Sequence, residues 1–73
     1  MTVSKAIEIA YEVVKLLVAK GFLAGVAFGA DDVAVAIKLR DDQLLQVKIN
    51  DALAERGADW IAANIEKHLL VIN

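Results

Sequence analysis

The stretch from Phe22 to Asn50 limits the folds open to this chain more than any other. Three apolar runs, at 22–28, 33–40 and 44–50, are separated by two acidic turns, Ala30-Asp31-Asp32 and Asp41-Asp42-Gln43. Short β-branched and aromatic runs bounded by turn residues read as strands, and two tight turns in succession join three of them into an antiparallel meander. A helical pattern lies on each side, over 3–20 and 52–69. The expected fold class is therefore α+β in the order α-β-β-β-α, one domain over residues 1–73, with both helices on one face of the sheet.

Side chains alternate between the two faces of a strand, so the faces can be read off. One carries Phe22, Ala24, Val26 and Phe28, then Val33, Val35, Ile37 and Leu39, then Leu45, Val47 and Ile49. This large apolar face belongs under the helices. The other carries Leu23, Gly25 and Ala27, then Ala34, Ala36, Lys38 and Arg40, then Leu44, Gln46 and Lys48. It is low and small at the first strand, and polar and basic towards the third.

Thr2 or Ser4 can cap the first helix, and Gly21 supplies the left-handed position after its end. Its polar residues, Lys5, Glu8, Glu12, Lys15 and Lys20, form a narrow stripe. The rest of the circumference is apolar, wider than the stripe of just over 100° usual for a surface helix. Such a helix needs cover on two sides. Asp51 can cap the last helix, Gly57 weakens or kinks it, and Asp59 offers a second cap should it restart. Ala54, Ala58, Ile61, Ile65 and Leu69 share one of its faces. The tail Leu70-Val71-Ile72 reads either as a short fourth strand or as a segment that docks on a partner.

A chain of 73 residues buries only about 60% of its unfolded surface. Yet 59% of the residues are hydrophobic, against roughly 45–50% in ordinary globular domains. The surplus has to find cover outside a small core, and self-association is the first inference. Without cysteine there are neither disulfides nor thiolate metal sites. Lack of cysteine and of a recognisable signal peptide fits the cytoplasm. The net charge of −2 argues against a broad nucleic-acid footprint.

No motif carries chemistry. The doublets Asp31-Asp32 and Asp41-Asp42 consist of hard-cation ligands, but they stand where turns are needed, at opposite ends of a meander. His68, the single histidine, has no partner at catalytic or metal-ligand spacing and suits a helix end. Gly21, Gly25 and Gly29 match the spacing of a packed membrane helix, but a membrane span there would take in Lys15 and Lys20. A lysine at the bilayer centre costs about 2.5–3.5 kcal/mol, which favours the strand reading. No catalytic residue, metal or cofactor is expected, and no membrane. Trp60 reads as an interface anchor or as a plug at the core edge.

The order helix, three strands, helix resembles that of double-stranded RNA-binding domains, which have about this length. The resemblance implies nucleic-acid binding through a basic surface. Such domains open their second helix with lysines, where this chain has Asp51-Ala52-Leu53-Ala54-Glu55-Arg56, and the loop after the first strand lacks the family's proline and histidine. No functional residue carries over.

The expected function is a non-enzymatic protein–protein interaction module, homodimeric, acting as an adaptor, regulator or inhibitor. Its candidate contact residues are Leu23, Gly25, Ala27, Ala34, Ala36, Trp60, Leu70, Val71 and Ile72. The alternative is nucleic-acid binding by Lys38, Arg40 and Lys48 on the basic part of the sheet.

Overall fold

The computed structural model describes residues 2–72, with side chains through residue 69. Helix α1 spans Val3–Ala19. Strands β1 (Ala24–Phe28), β2 (Val33–Lys38) and β3 (Leu44–Lys48) follow, with one 3-10 turn at Arg40–Asp42. Helices α2 (Asp51–Arg56) and α3 (Ala58–Ile72) complete the chain. The strands form an antiparallel sheet in the order β1-β2-β3, which is the expected meander.

Each end of α1 is set by its own sequence. Thr2 is the N-cap, its hydroxyl oxygen accepting from the Lys5 amide at 3.1 Å. At the other end Gly21 takes φ +95°. The Gly21 amide donates to the Val18 carbonyl and the Phe22 amide to the Leu17 carbonyl, at 3.0 and 3.1 Å. This double closure is the Schellman motif, which needs a left-handed residue where glycine stands. Its usual apolar companion is present: Leu17 is fully buried, and Phe22 packs against the same core.

The register confirms how the sheet's faces divide. Ala24, Val26 and Phe28 lie opposite Ile37, Val35 and Val33, and Val35 and Ile37 lie opposite Val47 and Leu45. The central strand is the most buried, because it has a neighbour on each side and helices beneath. From it Val33, Val35 and Ile37 join Ala10, Val13 and Leu17 of α1 and Ile61, Ile65 and Leu69 of α3 in one core. All three helices are thus on one side of the sheet. Helix α1 lies over β1 and β2 and packs along α3.

The C-terminal part departs from the sequence reading in three ways. The cap of α2 is Asn50, not Asp51: the Asn50 side-chain oxygen accepts from the Leu53 amide at 2.9 Å, and Asp51 becomes the first helical residue. The single helix over 52–69 is two helices. Gly57, at φ +89° and ψ 160°, closes α2 with its amide on Ala54 and opens α3 with its carbonyl accepting from Ile61. That backbone region is essentially reserved for glycine. Finally, the described residues hold no fourth strand, because α3 runs on to Ile72. Ile61, Ile65 and Leu69 repeat every four residues, so each further turn adds intrahelical bonds, whereas a strand would need a free edge to pair with.

Phe28 also departs from expectation. It lies on the helix-facing side but remains 62% exposed, since it ends an edge strand and has no neighbouring strand on its outer side.

Candidate interaction surface

The sheet face turned away from the helices is built in rows. The Lys38 amide donates to the Leu23 carbonyl at 2.8 Å, and Lys38 is opposite Leu44, so Leu23, Lys38 and Leu44 form one row. The next holds Gly25, Ala36 and Gln46, and the third Ala27, Ala34 and Lys48. Of the six residues contributed by β1 and β2, all but Leu23 and Lys38 are glycine or alanine, so these four positions have no atoms beyond Cβ. A Cβ placed on Gly25 would meet nothing within 4 Å. The result is a shallow floor ended by two large apolar side chains, Leu23 at 66% exposure and Leu44 at 62%.

Among the expected contact residues, Leu23 and Gly25 are exposed and Ala27 and Ala36 half-buried. Ala34, at 6%, offers almost no surface. It sits between Ala27 and Lys48, and the lysine reaches past it to the first turn. Leu44 was not among those residues. Its signal is the doublet Leu44-Leu45: in a strand, adjacent leucines must point to opposite faces, so one of them has to face outward.

The basic part of this face is largely neutralised. Lys38 Nζ lies 3.0 Å from Asp42 Oδ1, and Lys48 Nζ lies 3.1 Å from Asp32 Oδ2. Each acidic turn therefore sends one carboxylate to a lysine of the sheet. Asp41 and Asp42 also take left-handed backbone angles, φ 59° and 61°, which aspartate tolerates better than most residues. Arg40 is exposed within the 3-10 turn. Lys38, Arg40 and Lys48 do not form a patch of free cations.

Trp60 is 39% exposed, with the Arg56 guanidinium 4.9 Å from its ring centroid. Arg56 is the last residue of α2 and Trp60 lies in the first turn of α3, so this cation–π pair spans the break at Gly57. Trp60 is therefore a surface aromatic and not a core plug. The side chains of Leu70, Val71 and Ile72 lie outside the described residues.

On the helix side, β3 and α3 leave an open groove of about 450 Å³ between Leu45, Val47, Asn64, Ile65, Lys67 and His68. The groove places the exposed His68 beside Lys67. Among the described residues, no three metal-ligating side chains gather, and no helix is long and apolar enough to cross a membrane. Comparison with protein-family models, with curated proteins and with solved structures finds no match to this chain.

Proposed function

We propose that this chain is a non-enzymatic protein–protein interaction module that works as a homodimer and presents its open sheet face to a protein partner, as an adaptor, regulator or inhibitor in the cytoplasm. The observation that carries the reading is the one-sided layout of the fold. All three helices are on one side of the sheet, and the other side is a floor of Gly25, Ala27 and Ala36 ended by exposed Leu23 and Leu44. A flat small-residue floor permits close backbone approach, and exposed apolar residues at its end favour a second surface over water.

The nucleic-acid alternative draws no support from the geometry. Phosphate binding needs cations free to exchange their counterions, and Lys38 and Lys48 already face Asp42 and Asp32. Filter binding to duplex RNA or DNA at low salt is expected to show no retention.

Sedimentation equilibrium at micromolar concentration tests the homodimer. A species of twice the 7.9 kDa chain mass is expected. A single monomeric species throughout the concentration series removes the proposal.

A further inference from the structure

We propose that β1 is the seam of the dimer: it pairs antiparallel with β1 of a second copy about a twofold axis at Val26, forming one continuous six-stranded sheet. This rests on the homodimer reading above and says which surfaces meet.

The first support is the lack of protection along this edge. Exposed strand edges are ordinarily guarded by charges, prolines or bulges. From Gly21 to Ala30 there is no charged or polar side chain and no proline. The opposite edge, β3, carries Gln46 and Lys48 and is flanked by Asp41 and Asp42.

The second is the direction of the backbone groups. The Leu23 carbonyl accepts from Lys38, and the Gly29 amide donates to the Asp32 carbonyl, so the odd-numbered residues of this segment bond towards β2. Antiparallel strands alternate, so the amides and carbonyls of Ala24, Val26 and Phe28 point outward. They match the same three residues of a second copy turned end for end.

The third is size matching. With the axis at Val26, Phe28 lies opposite the partner's Ala24, Leu23 opposite the partner's Gly29, and Gly25 opposite the partner's Ala27. Leu23 and Phe28 thus each meet a small residue, and Val26 meets its own copy. Two of the most exposed apolar residues, Leu23 and Phe28, gain cover in this way, one on each face of the sheet. Moving the axis to Ala24 sets Phe28 against the partner's Lys20. Moving it to Phe28 sets the two phenyl rings against each other and brings the partner's Asp32 to Ala24.

The fourth comes from α1. Val3, Ile7, Tyr11, Val14 and Val18 recur every three or four residues, and Val3, Tyr11 and Val18 are more than half exposed. At 100° per residue this stripe lies about 90° round the helix from the core-facing Ala6, Ala10, Val13 and Leu17. Lys20 lies on the other side of that core face and binds Glu66 of α3 at 2.6 Å. Helix α3 therefore takes one flank of α1, and the apolar stripe lies on the flank towards the β1 edge. A twofold axis perpendicular to the sheet puts both copies' helices on the same face, with these stripes facing each other. For a helix lying between β1 and β2, a seam of ordinary strand spacing separates the two α1 axes by about 10 Å. Packed helices lie about 8–10 Å apart. One docking geometry thus covers the bare edge and the bare helix flank together, and leaves the open sheet face free for another protein.

The chain has no cysteine, so single-cysteine variants report cleanly. In this seam Gly25 and the partner's Ala27 form a non-bonded antiparallel pair, whose Cα atoms lie about 4.5 Å apart, within disulfide reach. An equimolar mixture of Gly25→Cys and Ala27→Cys should oxidise to the mixed covalent dimer in high yield, while Gln46→Cys on the β3 edge and Ala36→Cys on the open face should not form covalent dimers. Phe28→Lys, at an exposed position, should keep the wild-type circular dichroism spectrum and sediment as a monomer. If the wild type is dimeric but crosslinks through Gln46→Cys or Ala36→Cys instead, the seam is wrong and the homodimer stands. A folded Phe28→Lys that remains dimeric also overturns the seam. A monomeric wild type overturns both proposals.

Discussion

Gly57 is the residue whose side chain, or lack of one, has the largest structural consequence. Its φ of +89° with ψ 160° lets one residue end α2 and begin α3, and a Cβ there would meet nothing within 4 Å. The cost of Gly57→Ala is therefore purely conformational. Urea denaturation should show a loss of about 1–3 kcal/mol, the usual range for a residue held in such a region. The sequence offers a weakened or kinked helix at Gly57, with Asp59 as a cap should it restart, but does not choose between them, because helix propensity alone prices a glycine at about 1 kcal/mol, which a continuous helix tolerates. Asn50 is a similar case. It and Asp51 are both good caps, and only the extended backbone of Asn50, φ −116° and ψ 177°, decides between them. Asn50→Ala should cost about 1 kcal/mol in the same assay, because it removes the cap bond to the Leu53 amide.

Among the elements, β2 and β3 differ sharply despite similar composition. Val33, Val35 and Ile37 are buried, because β2 is flanked by strands and covered by helices. Truncating Ile37 to alanine should cost about 2–5 kcal/mol in chemical denaturation, including the cavity it leaves. Leu44→Ala on β3 should stay within about 0.5 kcal/mol, as expected for an exposed position. The alternation of apolar residues assigns each side chain to a face, and all three strands follow it. It cannot rank strands by burial, since that depends on which strand lands in the middle of the sheet. The same limit explains Phe28: the pattern puts it on the right face, but its place at the end of an edge strand leaves it in water. For α1, the nearly all-round apolar surface implies cover on two sides, and the sheet and α3 supply it. The stripe through Tyr11 remains over.

For the whole molecule, the layout is that of a domain with one finished side. If the chain dimerises, its thermal midpoint should rise with protein concentration between micromolar and hundreds of micromolar, because a partner that binds only the folded state stabilises it by mass action. A midpoint independent of concentration speaks against any dimer. The lysine–aspartate pairs on the open face should matter little to stability: Lys48→Ala should shift the unfolding free energy by less than about 1 kcal/mol, because surface ion pairs contribute weakly. What they change is the character of the face, from basic to near neutral.

The linear pattern was enough for the element order, the two sheet faces, a first-helix cap at Thr2 or Ser4 and the left-handed stop at Gly21, because each depends on a few neighbouring residues: a period of two, a period near 3.6, or the geometry of a single glycine. The pairing of Lys38 with Asp42 and of Lys48 with Asp32, the near-complete burial of Ala34, the exposure of Phe28, and the alignment of the α1 stripe with the β1 edge were decided only by the tertiary structure. Each depends on which strand is central and which flank of a helix another helix occupies, and those are relations between segments far apart in the chain.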